Sequence, residues 1–124
     1  MALQESGEMY LETIYVLSLT SSAVRSIDVA DYMGFSKPSV SRAISLLKSE
    51  GLVKIDKDGY LKLTEAGQIL SKRIYERHTV LSHLLTLLGV SEKVAAEDAC
   101  RIEHYISDET FNAIKRHMER YEKK

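Results

Sequence analysis

The apolar residues of this chain fall mostly at helical spacing, with one short stretch of alternation near the middle. From Glu5 to about Leu19, Met9, Ile14, Leu17 and their neighbours fit a helix that Ser21-Ser22 ends. Ser26 is the expected N-cap of a short helix reaching Met33, with Asp28 in its first turn and Gly34 supplying the left-handed residue that closes it. Ser36 caps a further helix that Lys37-Pro38 opens and that runs to about Ser49, with Val40, Ala43, Ile44 and Leu47 as its inner stripe. A short helix, a glycine turn and a capped second helix make a helix-turn-helix, with Ala30, Gly34 and Val40 at its small, turn and core positions.

After Gly51 the pattern changes to alternation. Residues 52–55 and 60–63 flank an Asp-Gly turn and predict a hairpin, which directly after a recognition helix forms a wing. Helical spacing then returns. Thr64 caps a long helix bearing Leu70, Ile74, Leu81, Leu84, Leu85 and Leu88, and Gly89 ends it. Ser91 caps the next helix and Ser107 the last, which runs from Asp108 to about Lys123 with Phe111, Ile114, Met118 and Tyr121 on one side. The pattern therefore predicts a mainly α protein, with a winged helix-turn-helix over residues 1–70 and an all-helical dimerization domain over 71–124, the second domain also carrying the candidate metal ligands taken up below. Three helices of this kind leave apolar faces that a second copy would bury, and a dimer suits the two-fold symmetry of a palindromic operator.

Composition refines this picture through charge. The 124 residues carry a formal net charge of −1, so any DNA-binding surface is local. Residues 36–62 hold six basic residues against three acidic, whereas residues 89–109 hold two basic against six acidic. On the second helix of the motif the outward residues are Lys37, Ser39, Ser41, Arg42, Ser45 and Lys48, donors suited to base edges and phosphates. Lys57 at the wing tip is the expected phosphate contact, with Lys54 and Lys62 as weaker candidates. A single cysteine makes no internal disulfide and no run approaches the roughly 20 apolar residues of a membrane span, so a cytoplasmic protein without a membrane partner is expected.

Candidate chemistry gathers in Ala99-Cys100-Arg101-Ile102-Glu103-His104. Cys100, Glu103 and His104 stand at i, i+3 and i+4, so a helix would project thiolate, carboxylate and imidazole from one face toward a shared cation. Three alternatives stand beside that reading. In one, Cys100 and His104 simply pack in a regulator that answers an organic effector; in another, Cys100 senses redox state; in the third, His104 activates the Cys100 thiol in a small metallohydrolase or thiol enzyme. The enzyme reading lacks a third orienting group and a phosphate-binding loop.

Glu8-Met9-Tyr10-Leu11-Glu12-Thr13-Ile14-Tyr15, the winged helix, Arg77-His78 and the Cys100 segment occur in the order seen in the diphtheria-toxin-repressor family of iron- and manganese-dependent transcriptional repressors, and the chain resembles the short, two-domain form of that family. The resemblance implies a non-enzymatic cytoplasmic homodimer that binds Fe(II) or Mn(II), one or two ions per subunit, and then double-stranded operator DNA, repressing metal-homeostasis genes. No organic substrate is implied. Carried over to matching positions, the metal ligands are Met9, Glu12, His78, Cys100, Glu103 and His104, and metal bound by donors of both lobes would fix the spacing of the recognition helices. Met9 and Cys100 look like the iron-responsive branch, Glu12 like the manganese-responsive one. Ser82 and Ala96 stand where the iron branch has Glu and His, so its ancillary site is not expected here and His78 is assigned to a second ion near Glu12 and Glu103. His83 and His117 are expected to be structural or exposed.

Overall fold

The computed structural model describes residues 5–122. In chain order the elements are α1 (Glu5–Ser18), α2 (Ser26–Met33), α3 (Lys37–Ser49), β1 (Val53–Ile55), β2 (Leu61–Leu63), α4 (Glu65–Leu87), α5 (Glu92–Ile102) and α6 (Asp108–Glu122). The end of the last helix expected at Lys123 lies outside the described residues. Two compact units divide within α4, residues 1–72 and 73–124.

The first unit is a winged helix-turn-helix. Its α1 packs on α2, α3 and β2, and Leu11, Ile14, Val29, Val40, Leu47 and Val53 fill the core at 2% exposure or less. Of the apolar stripe expected on α3, Val40, Ile44 and Leu47 are buried and Ala43 is half-buried, while Met9 and Leu17 of α1 are only half-buried because Leu11 and Ile14 take the core positions. One expected cap moves by a residue. Arg25, not Ser26, is the N-cap of α2, because its N–H donates to Asp28 Oδ2 at 2.8 Å and its extended backbone leaves Ser26 helical. Gly34 at φ 72° ends α2 with its N–H on the Ala30 carbonyl, and Phe35 in the turn meets the Tyr10 ring of α1 at 6.0 Å between centroids.

Ser36 caps α3 through its Oγ, which accepts from the Ser39 N–H at 3.4 Å. The wing is antiparallel with Val53 opposite Leu63 and Ile55 opposite Leu61, and Asp56 Oδ1 accepts from the N–H groups of Asp58 and Tyr60 to close the turn. The segment before α2 runs beside it, with the Leu61 N–H donating to the Val24 carbonyl at 2.7 Å. Thr64 joins wing to α4 by donating to the Gly51 carbonyl and accepting from the Gly67 N–H.

The second unit is all-helical, with Ile74, Leu81, Ala95, Ala99, Phe111 and Met118 buried. Ser91 caps α5 by accepting from Val94, and Ser107 caps α6 by accepting from Thr110. Lys115 of α6 meets Glu76 of α4 at 2.8 Å, and that hydrogen bond raises the lysine pKa above its ordinary value. Leu87, Leu88, Val94, Ile102 and Tyr105 remain exposed. No helix of the described residues is long and apolar enough to cross a membrane.

Candidate metal centre and nucleic-acid interface

The donor cluster of the second unit forms where α5 ends. Sequence spacing predicts Cys100, Glu103 and His104 on one continuous helix, but α5 stops at Ile102. Glu103 is its C-cap, still in helical conformation at φ −59°, ψ −25°, and His104 lies in the turn that follows. The Glu103 N–H still reaches the Ala99 carbonyl, so one further helical turn geometry persists and the three donors converge. A sulfur, a carboxylate oxygen and an imidazole nitrogen lie within 4.8 Å of one another.

Glu103 is the centre of this arrangement. It is 2% exposed, and its carboxylate faces two imidazoles: His78 Nδ1 of α4 stands 3.0 Å from Oε2, and His104 Nε2 stands 3.3 Å from Oε1. Oε1 accepts no hydrogen bond of proper geometry from any described residue. Burying a carboxylate is costly unless its oxygens are satisfied by hydrogen bonds, a paired charge or a metal. The donors fit a metal ion. Donor atoms that all lie within 4.8 Å of one another could meet at one ion through small side-chain adjustments. Thiolate, imidazole and carboxylate together suit a borderline transition ion rather than Mg or Ca.

Of the other expected ligands, Met9 and Glu12 lie one turn apart on α1 of the first unit, both half-buried. Ser82 is half-buried and Ala96 exposed, and neither carries the carboxylate or imidazole that the iron branch has at these positions. His83 and His117 are both exposed, as their phase suggests.

On the first unit Lys37, Ser41, Arg42, Ser45 and Lys48 of α3 are exposed, as is Lys57 in the wing turn. Ser39 is half-buried and engaged locally, its Oγ accepting from Ser36 Oγ at 2.9 Å and from Arg42 Nη2 at 3.4 Å. Lys62 is committed to the fold, because its Nζ donates to the Ser22 carbonyl at 2.6 Å. Arg25 was absent from the sequence-derived set and belongs near it: its guanidinium lies 4.7 Å over the Tyr60 ring at the wing. Its partner is 35 positions away, a pairing that local patterning does not reveal.

A winged helix joined in one chain to a helical unit with a transition-metal donor set defines a class, the metal-responsive DNA-binding regulators. Residues 2–61 match the family described as "Iron dependent repressor, N-terminal DNA binding domain" and residues 64–124 match "Iron dependent repressor, metal binding and dimerisation domain". The transcriptional regulator MntR of Escherichia coli is 33% identical over 106 residues, covering 86% of this chain and 68% of that protein. The diphtheria toxin repressor of Corynebacterium diphtheriae is 32% identical over 108 residues, covering 86% of this chain and 48% of that one. The manganese regulator SloR superposes with a TM-score of 0.81 at 30% identity, covering 96% of this chain and 55% of its own. The chain belongs to the iron-dependent repressor family, whose members are transcriptional regulators and not enzymes. It spans about half the length of the diphtheria toxin repressor and of SloR.

Proposed function

We propose that this chain is a cytoplasmic, metal-dependent transcriptional repressor that binds operator DNA as a homodimer when loaded with Fe(II) or Mn(II). The observation that carries the reading is the convergence of Cys100, Glu103 and His104 around a buried carboxylate, in a chain whose other unit is a winged helix. Cys100, Glu103, His104 and His78 are the core of the ligand set, and Met9 and Glu12 are its further members by family correspondence. One or two ions per subunit are accommodated by six such donors. When bound, the ion would supply positive charge to the buried Glu103 carboxylate and the half-buried donors around it.

Lys37, Ser39, Ser41, Arg42, Ser45 and Lys48 of the recognition helix and Lys57 of the wing are the DNA-contacting residues, phosphates taking the cations and base edges the N-terminal side chains. Residues 1–70 form the DNA-binding domain and 71–124 the dimerization and metal-binding domain, a division that the two compact units support. Exposed Leu87, Leu88, Val94, Ile102 and Tyr105 in the second unit support burial by a second copy.

Calorimetric titration of the anaerobic, chelator-stripped protein with Fe(II) and with Mn(II), repeated on Cys100→Ala, tests this reading. Saturable binding that weakens in the variant is expected, with stoichiometry separating one ion from two. Absence of binding by the wild-type chain would leave the winged helix standing and refute the metal role.

A further inference from the structure

Arg77 of α4 is the residue before His78, and its side chain is only 16% exposed. Its guanidinium spans the whole junction between α5 and α6. Nη1 donates to the Glu103 carbonyl at 3.2 Å and to the Ile106 carbonyl at 2.7 Å, and Nη2 donates to the Asp108 carboxylate. The Phe111 ring lies against the same group, 5.4 Å from centroid to guanidinium carbon. A cation there also meets the partial negative charge of the α5 C-terminus, where the last carbonyls lack helical partners.

Glu103 is therefore gripped twice from adjacent positions of α4. Arg77 holds its backbone carbonyl, and His78 Nδ1 faces its carboxylate at 3.0 Å. His104 follows directly, past the last helical residue of α5, so the course of this turn sets where the imidazole points relative to Cys100. Arg73 supplies a built-in comparison. It reaches the same Asp108 at 3.6 Å from an exposed position, pairing with the carboxylate and not with the Glu103 turn.

We propose that Arg77 is a positioning residue for the metal centre, its guanidinium holding the Glu103–Ile106 turn so that Glu103 and His104 stay in register with Cys100. The inference rests on the metal-regulator reading and deepens it by assigning a role to a residue that touches no ion. Lysine is a poor substitute, since one ammonium does not reproduce a planar fork bridging two carbonyls and a carboxylate.

The test loads the 124-residue chain anaerobically with Co(II), whose d–d bands and thiolate charge-transfer absorption report the ligand geometry, and measures affinity by calorimetry in parallel. Arg77→Gln is expected to weaken Co(II) binding by about 10–100-fold, the usual effect of removing a group that orients a ligand, and to shift the visible spectrum. Arg77→Lys should recover part of the affinity, and Arg73→Gln should leave affinity and spectrum at wild-type values. Should Arg77→Gln not fold by circular dichroism, Arg77→Lys carries the test, with a shifted spectrum and weakened binding still expected. Wild-type affinity and spectrum in the Arg77 variants would overturn the proposal, as would an affinity loss with an unchanged spectrum, which would mark Arg77 as general packing. A wild-type protein that takes up no Co(II) would overturn the metal reading and this inference together.

Discussion

Glu103 carries the largest share of the site's chemistry, since its buried carboxylate faces His78 on one oxygen and His104 on the other. Glu103→Gln keeps the shape and removes the charge, so metal affinity should fall by at least about 100-fold, the upper end of what even an orienting partner contributes. Calorimetry checks this, with a retained affinity excluding Glu103 as a ligand. Acidity gives a second handle on the same donors. Imidazole binds metal only when neutral and a thiol only when ionised, so metal uptake releases protons and apparent affinity should rise between about pH 6 and 8. A flat profile would argue against His78, Cys100 and His104 as ligands. The grouping of Cys100, Glu103 and His104 was legible in the sequence because they are neighbours, whereas Arg77's partners lie 26, 29 and 31 positions away and no local spacing reveals them.

Helix ends and close approaches decide how the elements are set. Gly67 lies in the first turns of α4, where an added Cβ would stand 2.0 Å from the Leu52 carbonyl oxygen. Gly67→Ala should therefore destabilise the protein by about 1–3 kcal/mol, as other overpacked substitutions do, despite a helix-propensity gain of about 1 kcal/mol. Urea unfolding reads the difference, and an unchanged or higher midpoint would contradict the crowding. Leu47 is fully buried at the centre of the α3 stripe, so Leu47→Ala should cost about 2–5 kcal/mol by the same measurement. The caps at Ser36, Ser91 and Ser107, the Gly34 turn and the alternation of the wing were readable from sequence because each is a local rule. The end of α5 was not. Its donor spacing favours a continuous helix, and the chain leaves it after Ile102, where the Arg77 guanidinium donates to the carbonyls of Glu103 and Ile106. The Arg25 stack on Tyr60 and the Lys62 tie to Ser22 were hidden for the same reason of distance along the chain.

For the molecule as a regulator, metal and DNA are two ligands of one chain, and their effects are reciprocal. Whatever factor metal adds to DNA affinity, DNA must add to metal affinity. Arg42→Ala should lower DNA affinity and reduce the salt slope by about one unit if Arg42 meets a phosphate, while metal affinity in the absence of DNA stays unchanged. Equal loss of both would remove Arg42 from the DNA face. Control of DNA binding by metal is checked by selecting duplexes from a random library with Mn(II)-loaded protein and with Fe(II)-loaded protein, then measuring their binding by fluorescence anisotropy with metal and with chelator. Tight, sequence-selective binding is expected with metal, weakened by orders of magnitude on chelation and likewise by Glu103→Gln. Equal affinity with metal and with chelator would contradict it.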